Sequence, residues 1–500
     1  MRTPLFALLA SATVLAGPAI AQDALPQVND SYYKQAQAEL DRIVARQPNT
    51  GKAKNVILFI ADGLSVPTVT AARIFDGQRK GVDGESNKLA FEDLPPYVAL
   101  AKTYTHDPQV PDSAPTATAM VSGVKSVNGT VGVSQAVKYK ECATAKDAAV
   151  TTIFEQAEMA GLSTGIISTA RITHATPAAA YAKVANRDQE NDSQLSDADK
   201  AAGCKDIAAQ LVDWPAGNGF EVILGGGRSN FMLKEQADPE ADGKTGSRTD
   251  GRDLVKEWQA KYNDAAYVWN KTEFDAIDPA KTGHLFGLFE RSHMQYEADR
   301  AKDKGGEPSL AEMTEKAIDM LSRDEDGYVL MVEAGRVDHA HHAGNAYRAL
   351  DDTIAMSDAV KAALARVNPE ETLVIVTADH SHTLSIAGYP KRNNPILGIA
   401  GMADDGKPYT TLGYQNGPGA KAEGARADLT NVDTTDPDFL QQALVPLGES
   451  ETHAGDDVPV FAQGPWAHLF QGVIEQNMIY HVIAKATDMA AKPQKQASAN

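Results

Sequence analysis

Cysteine is almost absent: the 500-residue chain has two, Cys142 and Cys204. They are too few and too far apart to make a metal site alone, which leaves one disulfide or two buried free thiols. Positive charge is also short, with 47 Lys and Arg against 67 Asp and Glu and a formal net charge of −20. Without a concentrated basic stripe the chain cannot neutralise a phosphate backbone, so no nucleic-acid binding is expected. No segment beyond the first 21 residues reaches the roughly 20 apolar residues of a membrane span. The tail AKATDMAAKPQKQASAN is polar and carries no lipid-anchor signal, so no stable membrane anchor is expected either. Histidine is scarce as well, with 12 in all.

What is present begins with MRTPLFALLASATVLAGPAIAQ: one basic residue, an apolar stretch and a small-x-small ending at Ala19-Ile20-Ala21. That pattern is a cleaved secretory signal over residues 1–21, which places the protein in the periplasm or outside the cell. Its removal takes Arg2 away and moves the formal charge from −20 to −21. An oxidising compartment favours a disulfide for the two cysteines. With 43% apolar residues the mature chain can bury a large core.

Apolar runs at NVILFIAD (55–62), STGIIST (163–169), FEVILGG (220–226), YVLMVE (328–333) and TLVIVTAD (372–379) read as buried strands. Helical stretches such as 151–161 and 346–367 alternate with them, which predicts an α/β domain with a largely parallel sheet. Residues 31–46 carry apolar and charged residues at helical spacing and predict an exposed N-terminal helix. The polar, Gly-containing stretch 234–252 predicts a surface loop. Residues 388–450, with Gly, Asn and Pro clusters and short apolar pieces, predict a small appended subdomain.

The scarce histidines are concentrated in MVEAGRVDHAHHAGN (331–345), which puts Glu333, Asp338, His339, His341 and His342 at the end of a predicted strand. Asp62 ends another strand, and Asp379 and His380 a third. Ligands bind outside the carboxyl ends of strands in open α/β sheets, so these residues are expected to converge. Asp338 and His342, spaced i, i+4, share one face of a helix. A lone strand-end Asp is as good a helix cap as a metal ligand, but imidazoles do not cap, and the set implies more than one divalent ion. In PDSAPTATAMVSGVK (111–125), Ser113 precedes a proline and a helix-compatible run, the position of a cap or of an anion-facing nucleophile. A metal can activate such a hydroxyl without a histidine base.

The ordered set FIADGL, PDSAPTATAM, THATPAA, VEAGRVDHAHHAGN, VTADHSH and ETHAGDDV resembles the alkaline phosphatases. Stretches such as GLFERSHMQYE, KPYTTLGYQNGPG and VFAQGPWAHLFQGV make it most similar to the animal-type branch. The resemblance covers nearly the whole mature chain. It implies a central, mostly parallel sheet flanked by helices on both faces, formed by residues 22–387 and 451–490. A crown-like insertion at 388–450 would lie at a homodimer interface, with an arm helix within 30–47 and a polar tail at 491–500. It also implies hydrolysis of small phosphate monoesters through a covalent phosphoserine on Ser113, with two zinc ions and one magnesium. One zinc would be held by Asp338, His342 and His453, the other by Asp62, Asp379 and His380. The magnesium would take Asp62, Thr176 and Glu333. Arg187 would clamp phosphate oxygens, oriented by Asp112. His174 and His339 stand where the best-known bacterial pattern has Asp and Lys and the animal-type enzymes have histidines. They are expected near the third metal and near the phosphate, through water.

The resemblance further implies the Cys142–Cys204 disulfide. It also implies a calcium site of Glu240, the Phe289 carbonyl, Glu290 and Glu307, the last a Glu where the pattern has Asp. The rivals are relatives on the same scaffold and a binding protein without turnover. A sulfatase signature fails at its fifth position, Ala117; a diesterase lacks the arginine clamp; a binding protein has no use for Ser113. His341 receives no role.

Overall fold

The computed structural model describes residues 26–93, 97–421, 424 and 426–489. The expected signal (1–21) and polar tail (491–500) lie outside the described residues. Residues 26–47 form one unit and residues from 48 onward another. In the first, Asp30 caps a helix at Ser31–Val44 by accepting from the Tyr32 and Tyr33 N–H groups, and none of that helix is buried.

The second unit is built on a ten-stranded sheet. Its strands include β1 (Asn55–Ala61), β2 (Tyr97–Lys102), β3 (Ser163–Arg171), β4 (Val222–Gly226), β5 (Ala265–Val268), β6 (His284–Leu288), β7 (Tyr328–Ala334) and β8 (Thr372–Thr377). The spatial order is (472–475)-β2-(458–463)-β8-β1-β7-β3-β4-β6-β5. The run from β8 to β5 is parallel throughout; only strand 458–463 runs against its neighbours. Every residue of β7 and β8 is buried. Alternate side chains point to opposite faces, so both faces are covered, as a parallel sheet requires. Helices 66–79, 310–321 and 346–364 pack together, as do 113–122, 153–160 and 478–487. The α/β architecture with a mostly parallel sheet is thus as expected, and the five sequence-predicted strands are β1, β3, β4, β7 and β8.

Parallel register sets the height of each functional residue. Ile60 is level with both Glu333 and Thr377, and Ser168 with Glu333. Asp62 and Asp379 each lie two residues past that level, so they leave the sheet side by side at its carboxyl edge. Gly63 then turns the chain with φ +77°, and a Cβ there would stand 2.4 Å from the His382 ring. Residues 234–252 form a loop, as expected. Between Leu384 and Val445 the chain leaves the large sheet for a three-stranded sheet of 384–386, 412–416 and 443–445 and a hairpin of 399–402 with 408–410. Cys142 and Cys204 are joined in a disulfide. Among the described residues no helix is long and apolar enough to cross a membrane.

Candidate active site

Asp62, Glu333, Asp379 and His380 are all completely buried at the carboxyl edge of the sheet. His453 reaches them through a two-residue antiparallel ladder in which it pairs with His382. Asp338 and His342 come from the helix Arg336–His342 that leaves β7. Ser113 opens the helix Ser113–Ser122. Asp112 occupies the cap position yet makes no capping hydrogen bond. Its carboxylate instead accepts from the Gly129 N–H at 2.8 Å and pairs with the Arg187 guanidinium.

The imidazoles are arranged alike. His342 Nδ1 lies 2.6 Å from the Glu451 carbonyl, His453 Nδ1 2.8 Å from the Pro111 carbonyl, and His380 Nδ1 3.3 Å from the Ser381 carbonyl. A carbonyl only accepts, so each Nδ1 carries the proton and each Nε2 offers a bare lone pair. The Nε2 atoms of His342 and His453 stand 3.1 Å apart, and both lie 3.3 Å from Asp338 Oδ1. His380 Nε2 faces Ser113 Oγ at 3.1 Å, Asp62 Oδ1 at 3.3 Å and Asp379 Oδ2 at 3.4 Å. Lone pairs and carboxylates turned on one another repel unless a cation lies between them.

The oxygens tell the same story. Asp379 Oδ1 accepts from the N–H groups of Gly63 and His380, while Oδ2 has no partner. Ser168 donates to Glu333 Oε2, and Oε1 is bare. Both oxygens of Asp62 and the Thr176 hydroxyl are buried without a hydrogen bond. Buried polar atoms are almost always satisfied, so these orphans fit a set of divalent cations. Burial, then the charges of Asp379, Asp338 and Glu333, push the Asp62 carboxyl well above the usual range. Burial also pushes Glu333 up to about 7.

His174 meets the Arg187 Nη2 with Nε2 at 2.8 Å. A guanidinium only donates, so this nitrogen accepts and the buried, unpartnered Nδ1 carries the proton. His174 thus presents a donor to the Asp62–Glu333 group, whose ligand atoms lie within 4.8 Å of one another and of the ring. Burial, then Arg187, hold it neutral, and burial likewise lowers His339 to about 3. The His339 ring stands 5.4 Å from that of His174 and 4.0 Å from that of His293.

Two residues missed by sequence reasoning belong here. His382 Nε2 lies 2.6 Å from Asp338 Oδ1, and its Nδ1 2.5 Å from Glu451 Oε2. Burial would lower His382, but the two carboxylates outweigh it and hold it up at about 10. Its signal was its spacing: two residues past His380 on an extended segment it shares a face with it. Glu451 sits among Gly- and Ser-containing loop residues and gives no such signal.

Away from this edge, Glu240, Glu290 and Asp303 bring carboxylate oxygens within 4.8 Å of one another. Glu307 is beside them, pushed up to about 9 by burial and then by Asp303 and Glu290. Glu307 Oε2 and Asp303 Oδ2 are both buried and bare. Phe289 is buried at the end of β6.

A parallel sheet whose carboxyl edge crowds bare imidazole nitrogens and carboxylates around a helix-opening serine and a held arginine defines an enzyme class. The side chains of that edge could hold divalent cations beside an anion. A family model described as alkaline phosphatase matches residues 53–489, and the chain belongs to that family. The alkaline phosphatase of Gadus morhua is 46% identical over 460 residues, 90% of this chain and 95% of that one. The human tissue-nonspecific isozyme is 45% identical, covering 89% and 85%. Among solved structures, the alkaline phosphatase of the Antarctic bacterium TAB5 aligns with TM-score 0.60 at 25% identity, covering 88% of this chain and 99% of that one. The Thermus thermophilus enzyme aligns with TM-score 0.63 at 24% identity, covering 91% and 94%. The chain is therefore a phosphomonoester hydrolase.

Proposed function

We propose that hydrolysis proceeds through a phosphoserine on Ser113, with two zinc ions and one magnesium. Asp338, His342 and His453 would hold one zinc, Asp62, Asp379 and His380 the other, and Asp62, Thr176 and Glu333 the magnesium. Bound there, the ions supply Lewis acidity that makes the Ser113 hydroxyl and water better nucleophiles at alkaline pH. Ser113 Oγ, at the start of its helix, attacks phosphorus while the bond to the ester oxygen breaks and the alcohol leaves. Water then cleaves the phosphoserine, so one ester and one water give one alcohol and one phosphate. Arg187, held by Asp112 on one side and His174 on the other, presents a fixed fork to the non-transferred oxygens. His174 serves the third ion through its Nδ1 proton, by way of water, and His339 faces the phosphate.

The observation that carries this reading is His380 Nε2, a lone pair that faces Ser113 Oγ and the Asp62 and Asp379 carboxylates together. The test is nitrophenol release from a nitrophenyl phosphate monoester and from its methyl diester, with and without chelator. Fast, chelator-sensitive monoester cleavage with a far slower diester is expected, and Ser113→Ala should lower turnover by about 10³-fold or more while keeping the metals. A faster diester would move the protein to the diesterase branch. An active Ser113→Ala would remove the phosphoserine.

Calcium would sit among Glu240, Glu290, Asp303 and Glu307, with the Phe289 carbonyl. Residues 388–450 act as a crown at a homodimer interface and the 31–44 helix as an arm. Residues 22–387 and 451–490 form the catalytic domain of a periplasmic or secreted enzyme.

A further inference from the structure

His341 is the histidine of the 331–345 stretch for which the hydrolytic site has no task, and it is completely buried. Its Nε2 stands 3.1 Å from Thr68 Oγ1 and its Nδ1 2.7 Å from Tyr414 Oη. Thr68 continues to Ser65 Oγ at 2.8 Å, and Ser65 caps the helix that follows Asp62. Tyr414 lies on strand 412–416 of the small sheet, opposite Leu384, which is two residues past His382. Three separate pieces of the fold therefore meet at one ring. Bonds at opposite ring nitrogens fix both its tilt and its rotation.

Flat against this ring lies His382, with centroids 4.9 Å apart and planes at 29°. His382 holds Asp338 Oδ1 at 2.6 Å from one nitrogen and Glu451 at 2.5 Å from the other. Glu451 also accepts the Thr383 N–H at 2.7 Å. Two side chains beyond the large sheet, Tyr414 and Glu451, thus reach the Asp338 group from behind.

We propose that Tyr414 and His341 form a brace that fixes the plane of His382 and, through it, the Asp338 carboxylate, so that the small sheet sets how tightly the adjacent cation is held. This rests on the reading of Asp338, His342 and His453 as zinc ligands. His341 is then a positioning residue and touches no substrate. Partners that orient a ligand from outside the coordination sphere govern metal affinity by about 10–100-fold, and His341 acts one contact further out, so the lower end applies.

The test uses the full chain loaded with zinc, titrated against a zinc-chelating dye, and the visible spectrum of the cobalt-substituted protein. Tyr414→Phe removes one hydroxyl and Thr68→Val the other anchor. Each is expected to weaken one of the two zincs about tenfold and leave the second unchanged, with the cobalt band of that site shifted. Once either anchor is cut the ring is loose, so the double variant should weaken the zinc little further. Tyr409→Phe, on the neighbouring hairpin, should leave affinity and spectrum as in the parent. Zinc affinity and cobalt spectrum indistinguishable from the parent in both single variants, even with lower heat stability, would reduce the chain to core packing. A parent that binds no zinc at all would instead overturn the zinc reading, and the brace with it.

Discussion

Arg248 and Asp62 are equally shut off from water, at 0% exposure. Arg248 donates to both oxygens of Asp206 at 3.0 and 3.1 Å, to Asp250 and to the Asn230 carbonyl. Arg228 is treated likewise by Asp238, Glu240 and the Leu288 carbonyl. Asp62 receives no hydrogen bond, and its charged neighbours are mostly carboxylates. A buried charge costs several kcal/mol unless it is paired, so both arrangements need an explanation. In the arginine regions the protein completes the pairing with its own atoms. At the carboxyl edge of the sheet it leaves the pairing to something that binds. A buried charge marks nothing by itself; a buried charge left unpaired, beside others of its sign, marks a site.

The largest effect is expected at the arginines. Arg248→Met should destabilise the fold by about 3–5 kcal/mol, because Asp206 and Asp250 lose their partner. Activity per folded molecule should be unchanged, which denaturant melts and kinetics on the same sample would check. Asp62→Asn should act with the opposite sign on metal-free protein. Removing one of several crowded carboxylates relieves like-charge repulsion and raises the melting temperature, while turnover is lost. An Asp62→Asn protein that melts lower than the parent in chelator would contradict the contrast.

Arg187 lies between the two cases, since Asp112 and His174 hold it but leave donors for a ligand. Lysine keeps the charge without the planar fork, so Arg187→Lys should lower kcat/KM about 10–100-fold with the fold intact. Inorganic phosphate should inhibit the variant more weakly than the parent.

The smallest effect lies far from the site, where Glu158 and Glu221 share Thr164, which donates its hydroxyl to one and its N–H to the other. Burial, then the Glu221 charge, push Glu158 up to about 8, and burial pushes Glu221 up to about 7. Both folded values lie above the unfolded ones. Their contribution is therefore complete below the unfolded pKa of about 4.3 and is lost as pH rises through about 7 to 8. Glu158→Gln should flatten the fall of the melting temperature between about pH 5 and about pH 9, gaining on the order of 1–2 kcal/mol at the alkaline end. A parent curve that does not fall over that range would refute the shift.

The sequence was legible where burial on both sides made strands into continuous apolar runs. β1, β3, β4, β7 and β8 announce themselves that way, and their ends deliver Asp62, Glu333, Asp379 and His380. β2 mixes exposed with buried residues, strand 472–475 buries none, strand 458–463 carries Pro459 and Gln463 within its apolar run, and β5 is four residues long, so no comparable signal exists. The motifs that resemble alkaline phosphatases reached further than periodicity and pointed to Arg187, Thr176 and His453, which no strand pattern marks. They missed one residue of the insertion and two outside it. Tyr414, Glu451 and the carboxylate of Asp303 lie in loop-rich segments whose partners are distant in the chain, and only the folded backbone shows whom they meet. His341 shows the same limit: four residues of sequence surround it with ligands, yet its own bonds run to Thr68 and Tyr414.

The most direct measurement is a count of metals per chain by elemental analysis after dialysis of the parent and of Asp62→Asn, the residue assigned to two ions. Two zinc and one magnesium are expected in the parent, and loss of one zinc and the magnesium in the variant. A parent that retains no divalent ion, or an Asp62→Asn protein that keeps the full complement, would contradict that assignment.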